Sequence, residues 1–141
     1  PYWRPDARGL ITGLTRNTDW KNFVRAIIES VAYQTNDLFN SMKNDGLKPR
    51  IVKIDGGMVK NNWFSQFLSD IININVLRPK VLETTALGVA LFAGYGCGEF
   101  KSLDEIKSVW KKDRFFSPKL KKSTRNKLLK GWKLAIRKTL A

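Results

Sequence analysis

A β-branched run ends in two consecutive glycines, and a helical pattern begins almost immediately after them. The run occupies residues 50–54, the turn is Asp55-Gly56-Gly57, and apolar residues between positions 61 and 72 recur at three- and four-residue intervals. β-Branched side chains favour strands, adjacent glycines favour turns, and this spacing is typical of an amphipathic helix. The pattern predicts a strand that passes through a tight turn into a helix, and hence an α/β fold.

The segment before this unit predicts another strand and a long helix. Residues 9–15 alternate apolar and small residues between glycines, which favours a short strand leading into a turn. Asn17 or Thr18 is predicted to cap the following helix, with Asp19 in its first turn. This helix carries one apolar stripe, formed by Phe23, Val24, Ile27, Ile28, Val31, Leu38, Phe39 and Met42.

The segment after the unit continues the alternation. Residues 73–77 predict a further strand, ended by Arg78-Pro79 because proline cannot donate to a continuing ladder. Thr84 or Thr85 is predicted to cap a helix rich in small residues, which indicates a helix packed tightly on the sheet. From Ser102 onward the pattern is helical, amphipathic and basic, with two short apolar stripes.

The composition excludes several kinds of catalytic and metal site. The chain has 141 residues and no histidine, which excludes Ser-His-Asp and Cys-His nucleophiles and histidine metal sites. No Walker-type phosphate loop occurs, and no acid and base are paired, so no catalytic or metal-binding residue is assigned. The single cysteine, Cys97, is predicted to be a small buried thiol. Without a disulfide framework or a membrane-spanning apolar run, the cytoplasm is the expected location.

Positive charge is concentrated near the C-terminus. The net charge is +14, of which residues 101–141 contribute +11 and residues 1–100 contribute +3. We therefore describe residues 1–141 as one domain with a basic helical tail from about residue 101. Such a tail is compatible with nucleic-acid binding, since Lys and Arg neutralise phosphates. A solvated basic face is the favoured interpretation, and nucleic acid is an unfavoured partner.

The glycine turn is the strongest candidate for a ligand site. Gly56 and Gly57 would let a bound group lie against the backbone, and free amides at the following helix N-terminus would attract phosphate. Asn61, in the first turn, could hydrogen-bond a base or ribose. The alternative is a structural turn in which Asp55 merely caps the helix.

Three sequence segments resemble the FGGY family of carbohydrate kinases. The first resembles the C-terminal signature of the family, the second its adenosine-binding segment, and the third the helix that follows. The signature segment has Gly9, Ile11, Gly13, Leu14, Asn22, Phe23, Ala26, Ile27, Ile28 and Glu29. The adenosine-binding segment has Asp55, Gly56, Gly57, Asn61, Asn62, Gln66 and Asp70, and the helix that follows has residues 83–90. Residues 1–9, 13–16 and 32–35 look most like the family members that phosphorylate glycerol, and the resemblance fades after about residue 118.

This resemblance implies an actin-like, ribonuclease-H-like ATPase fold, of which the chain would be most of the C-terminal lobe and incomplete as a fragment. By the same resemblance, Gly57 contacts the nucleotide through its backbone and Asn61 through its side chain, while Gly56 keeps the turn tight. Asp55 is implied to orient the turn rather than to act chemically.

The implied activity belongs to the intact protein, because phosphoryl transfer needs positioning and metal-assisted charge stabilisation from both lobes. The implied cofactors are ATP and Mg²⁺, with the metal held mainly outside this chain. The implied partners are glycerol or a related polyol, the N-terminal lobe of the same enzyme and, for the full-length protein, a homo-oligomer. Three alternatives stay open: a kinase for another polyol or sugar, a catalytically dead scaffold lobe, and a basic nucleic-acid-binding module.

Overall fold

The computed structural model of the chain describes residues 4–141, so the part of the resemblance that falls on residues 1–3 lies outside the described residues. Five α-helices, three strands and one 3₁₀ turn follow each other in the described chain. Their bounds are α1 Trp20–Asn44, β1 Ile51–Lys53, the 3₁₀ turn Gly57–Lys60, α2 Asn62–Ile72, β2 Asn75–Pro79, α3 Thr84–Gly96, α4 Leu103–Val109, β3 Lys112–Phe116 and α5 Lys122–Leu140.

The three strands form one mixed sheet in the order β1-β2-β3. β1 runs parallel to β2, with Val52 opposite Val76, and β3 runs antiparallel to β2, with Phe116 opposite Val76. The register shifts between Arg78 and Pro79, so the proline lies at an irregularity, where its missing N–H is tolerated. β2 is therefore the central strand and pairs on both sides.

Helix α2 lies at the centre of the core. Eight of its eleven residues are buried, because it packs against α1 on one side and against β2 and β3 on the other. The core joins apolar residues of α1, the 3₁₀ turn, α2 and the sheet: Ala32, Tyr33, Phe39, Val59, Phe64, Phe67, Leu68, Ile71, Ile72, Ile74, Val76 and Phe116. Leu128, Leu129 and Trp132 of α5 pack against its edge.

Helix α1 begins at a reciprocal cap that differs from the predicted one. Asp19, not Asn17 or Thr18, is the N-cap: its Oδ1 accepts from the Asn22 N–H, and the Asn22 side chain accepts from the Asp19 N–H. Thr18 is already used in the preceding turn, where its Oγ1 accepts from the Thr15 N–H at 2.9 Å. The predicted apolar stripe is only partly covered, since Val24, Ile27 and Leu38 are exposed.

Aromatic and polar contacts join α5 to α1. Trp132 stacks on Tyr33 at a ring separation of 5.5 Å, and its Nε1 donates to Asp37 Oδ2 at 2.7 Å. The Tyr33 hydroxyl donates to Glu29 at 2.9 Å, and burial together with this carboxylate raises the pKa of Tyr33. The basic tail is thus anchored by one apolar face, and its lysines lie on the opposite, exposed face.

Several predicted elements are confirmed with shifted ends. β1 and α2 fall within one residue of the predicted ranges, and β2 begins at Asn75 rather than at residue 73, because Asn73 adopts a left-handed conformation (φ 56°) as the C-cap of α2. The predicted strand at residues 9–15 is wrong: this segment is irregular, and no described strand lies beside it to supply hydrogen-bonding partners.

Four predictions about the second half are also wrong. The N-cap of α3 is Glu83, not Thr84 or Thr85. No residue of α3 is buried against another described part of the chain, so this helix does not pack tightly on the sheet. Cys97, at the end of α3, is exposed instead of buried, because this surface has no cover among residues 4–141. β3 interrupts the tail that was predicted to be helical.

Within residues 4–141, no helix combines the length and the apolar content needed to cross a bilayer.

Asp70 connects α2 to the loop before α5. Its Oδ1 accepts from the backbone N–H of Lys119 at 2.6 Å, from that of Leu120 at 3.2 Å and from the Gln66 side chain at 3.1 Å. We predict that Asp70→Ala lowers the free energy of unfolding by about 1.5–3 kcal/mol, because charge-assisted bonds to two backbone amides are lost at a site shielded from water. Urea denaturation measures the change.

Asp104→Ala is the matched control, since this aspartate is exposed on α4 and pairs only with Lys107. It is expected to change the free energy of unfolding by less than about 1 kcal/mol. Equal losses for the two variants would contradict the role given to Asp70.

Candidate functional site

The predicted turn connects the end of β1 to the start of α2. The Ile54 N–H donates to the Leu77 carbonyl at 3.0 Å, which extends the strand pairing by one step. Gly56 then takes φ 87° and ψ 178°, a backbone conformation that is essentially limited to glycine. Its N–H donates to the Leu82 carbonyl at 3.0 Å. The chain therefore reverses at Gly56, and the requirement for glycine there is conformational.

Asp55 contacts the start of α3 rather than the helix that follows the turn. The Thr84 hydroxyl donates to Asp55 Oδ2. Together with the bond from Gly56 to Leu82, this contact joins one end of the turn to residues 82–84. The capping role considered for Asp55 is therefore not seen: Asn61 caps α2.

Gly57 begins the 3₁₀ turn, and its surroundings are open. A Cβ placed on Gly57 would have no heavy atom within 4 Å, and the residue is exposed. Unlike Gly56, it has no positive φ. A ligand could therefore lie against the backbone of Gly57, and a side chain added there would occupy that space without straining the main chain.

Asn61 is the N-cap of α2. Its Oδ1 accepts from the N–H groups of Trp63 at 2.9 Å and Phe64 at 3.2 Å, and its own N–H donates to the Met58 carbonyl. The predicted phosphate attraction by free helix amides is thus wrong for these two groups, because the cap already satisfies them. The Asn61 side chain is exposed, and its Nδ2 group is the donor it can offer to a ligand.

The structure brings Gly56, Gly57 and Asn61 together at one exposed edge, at the end of β1 and the start of α2. Gln66 and Asp70, which belong to the same resembling segment, are turned elsewhere. Gln66 donates to the Ser117 carbonyl at 2.8 Å, and Asp70 accepts from the loop before α5. These two residues stabilise the fold and do not line the turn.

A groove of about 500 Å³ lies between residues 10–12, α1 and α5 and is lined mainly by apolar side chains. It is an uncovered groove beside the irregular segment where a strand was predicted. The glycine turn is an open edge in the described chain, as expected of half of a cleft.

Sequence reasoning missed two residues that shape the turn, Thr84 and Arg78. Thr84 is predicted as a helix cap and as part of the resembling segment 83–90, whereas its bond to Asp55 joins residues 29 positions apart. Arg78 was considered only as part of a strand end, although its guanidinium reaches the carbonyls of Val59 and Lys60. The available signal for Arg78 was its place at the end of a predicted strand, since a charge that becomes buried there needs partners.

Comparison with known proteins identifies the family. Residues 1–97 match the family described as FGGY family of carbohydrate kinases, C-terminal domain. The chain belongs to the FGGY family of carbohydrate kinases. FGGY kinases have the actin-like ATPase fold, so the predicted α/β class and ribonuclease-H-like architecture are confirmed, and this chain is the C-terminal domain.

Individual FGGY relatives carry the similarity beyond residue 97. The chain is 48% identical over 140 residues to the glycerol kinase of Coxiella burnetii (strain Dugway 5J108-111), covering 99% of this chain and 28% of that protein. It therefore spans little more than a quarter of the length of the curated relatives it matches. The alignment extends over the basic tail.

Solved FGGY structures agree with the fold. The crystal structure of Plasmodium falciparum glycerol kinase with ADP matches the whole chain with a TM-score of 0.86 and 40% identity, covering 28% of that protein. A ligand-bound xylulose kinase from Lactobacillus acidophilus matches 93% of this chain and 26% of that protein, with a TM-score of 0.72 and 24% identity. The second match supports the fold alone.

The two glycines are expected to respond differently to substitution. Gly56→Ala should lower the free energy of unfolding by about 1–3 kcal/mol, because alanine must adopt a backbone conformation that glycine alone tolerates. Gly57→Ala is the matched control and should have no comparable cost, since neither its φ nor its surroundings oppose a Cβ. Chemical denaturation of both variants tests this, and equal effects would contradict the conformational assignment.

Proposed function

We propose that the protein to which this chain belongs phosphorylates glycerol to glycerol 3-phosphate with ATP. The observation that carries the proposal is the 48% identity to a glycerol kinase over 99% of the chain. The ADP named for the P. falciparum relative supports a nucleotide as the ligand. Because this chain corresponds to only 28% of these relatives, the activity is proposed for the whole protein.

The proposed contribution of residues 1–141, the C-terminal nucleotide-binding lobe, is part of the adenosine site. Gly57 offers an unobstructed backbone surface, Asn61 offers its Nδ2 donor, and Gly56 supplies the chain reversal that places them on one edge. A single edge binds one side of a nucleotide and leaves the other exposed to water. Transfer of a phosphoryl group requires charge stabilisation from all sides, so the 141-residue chain alone is proposed to be inactive.

We propose that Mg²⁺, the second implied cofactor, is held mainly by residues outside this chain. Among residues 4–141, no group of three or more His, Cys, Asp or Glu could hold a metal ion. Asp55 is the carboxylate in the turn, and Thr84 already donates to it. Because Mg²⁺ at nucleotide sites is held by one or two carboxylates together with phosphates, a turn with a single, already bonded carboxylate leaves most of the protein ligands to come from outside this chain.

Uncovered apolar surface supports the N-terminal lobe as the partner of this chain. Val89 and Phe92 of α3 are 67% and 63% exposed, and Ile11 is 62% exposed. Apolar residues occur all around α3, which is typical of a helix buried in a larger protein. We propose that the remainder of the same enzyme covers these surfaces.

We also propose that the full-length protein is a homo-oligomer in the cytoplasm. The single cysteine supports the cytoplasmic location.

The first test is a glycerol-dependent ATP-consumption assay on the full-length protein beside the 141-residue chain, with other polyols and sugars as competing acceptors. Turnover of glycerol by the long form alone is expected. Turnover of another acceptor and not of glycerol would support kinase activity and contradict glycerol as the substrate. Absence of turnover with every acceptor would contradict the kinase proposal and favour a scaffold role.

The second test separates ligand binding by Asn61 from its capping role. Asn61→Ser keeps an oxygen that can cap α2 but removes the amide donor, because serine and asparagine are comparable N-caps. In the full-length enzyme we expect the KM for ATP to rise about 2- to 10-fold, as for one lost hydrogen bond, with the KM for glycerol unchanged. Gly57→Leu should act in the same direction by filling the space beside the backbone.

Asn126→Ala is the matched control, because Asn126 is an exposed asparagine on α5. It should leave both KM values unchanged. A change in the KM for glycerol alone, in either Asn61→Ser or Gly57→Leu, would contradict the assignment of the turn to adenosine.

A further inference from the structure

Arg78 is a buried arginine that bridges the sheet and the glycine turn. It lies on the central strand β2 and is 8% exposed. On one side, Nε and Nη2 each approach Asp113 Oδ2 at 2.7 Å. On the other side, Nη1 donates to the Val59 carbonyl at 2.7 Å and to the Lys60 carbonyl at 3.3 Å. All three guanidinium nitrogens are therefore used, and Arg78 has little surface left for a ligand.

The two accepting carbonyls lie between the two predicted nucleotide contacts. Val59 and Lys60 close the 3₁₀ turn that begins at Gly57, and Asn61 follows directly. The Val59 carbonyl also accepts from the Ser65 hydroxyl at 3.0 Å, so one bond ties it to α2 and the other to β2. A short 3₁₀ segment has weak internal hydrogen bonds, so its geometry depends on such external partners.

The orientation of the guanidinium is itself fixed. Asp113, on β3, holds two of its nitrogens, and the Phe116 ring lies 5.5 Å from its central carbon. Planar, multidentate contacts of this kind suit arginine and are not reproduced by lysine, whose charge is a compact point. The direction of Nη1 toward the turn thus depends on the pairing of β3 with β2.

We propose that Arg78 is a positioning residue for the adenosine site, acting through the carbonyls of Val59 and Lys60 without touching the nucleotide. The inference rests on the proposed function of the Gly56–Asn61 turn. Displacements of about 1 Å in substrate-positioning groups lower catalytic efficiency strongly. Loss of the guanidinium would free the turn on its inner side, so Gly57 and Asn61 would no longer be held at a fixed separation from the sheet.

The test uses the full-length enzyme carrying Arg78→Met, Arg78→Lys or Asp113→Asn. We expect Arg78→Met to raise the KM for ATP and the Kd for ADP by about tenfold, with kcat and the KM for glycerol changed by less than about twofold. Arg78→Lys should fall between the native protein and Arg78→Met, because an ammonium can reach the Val59 carbonyl but cannot also form the fork with Asp113. Asp113→Asn should have a smaller effect in the same direction.

Arg125→Met is the matched control for general destabilisation. Arg125 is a half-buried arginine whose Nε donates to the Ile71 carbonyl at 2.8 Å, at the opposite end of α2 from the turn. Its loss should lower the melting temperature without changing the KM for ATP. If Arg78→Met and Arg125→Met lower the melting temperature and both leave the KM for ATP unchanged, Arg78 is purely structural and the inference is overturned.

Asn61→Ser, measured in parallel, distinguishes this failure from failure of the proposed function. If Asn61→Ser raises the KM for ATP and the Arg78 variants do not, the turn is supported as the adenosine site and the positioning role of Arg78 is contradicted. If Asn61→Ser and Gly57→Leu both leave nucleotide affinity unchanged, the turn is not the adenosine site and the role of Arg78 falls with it. Should Arg78→Met not fold, Arg78→Lys, which retains the charge, gives the deciding comparison.

Discussion

Burial of α2 on almost every side is the constraint on which the rest of the described chain depends. Its apolar residues face α1 and the sheet at once, and polar residues within this buried surface need specific partners. Ser65 donates to Val59, Ser69 donates to the carbonyls of Ile74 and Phe116, and Asp70 holds the loop before α5. The 3₁₀ turn, the segment that leads into β2, the end of β3 and the loop before α5 are therefore all bound to one helix.

The exposed edge of the glycine turn follows from this arrangement. The buried residues of α2 begin at Phe64, and Asn61, which caps this helix, lies before them on the exposed side. Gly57 begins the 3₁₀ turn, and Val59 within that turn is 5% exposed and points into the core. Gly57 and Asn61 thus lie on the outer side of a turn that is fixed from within, which is the arrangement expected of a preformed ligand site.

Much of this architecture could be predicted from sequence because it depends on local patterns. The strand–turn–helix unit, α1 and α5 follow from periodicity, and Gly56 and Gly57 follow from turn chemistry. The cap formed by Asn61 was not predicted, because Asp55 was the cap considered. β3 could not be predicted from its own residues, which carry three charges, because the strand exists only through pairing with β2. The exposure of α3 and Cys97 was equally inaccessible, since burial depends on which other segments are present.

The turn is fastened to two parts of the protein with very different surroundings. Val59 and Lys60 are bound to α2 and β2, inside the core, whereas Asp55 and Gly56 are bound to residues 82–84, where α3 begins on an uncovered surface. The Val59–Lys60 side of the turn is therefore held by the core, and the Asp55–Gly56 side is held only as firmly as the start of α3. Any displacement of α3 would therefore reach Asp55 and Gly56 first, while Val59 and Lys60 stay bound to the core.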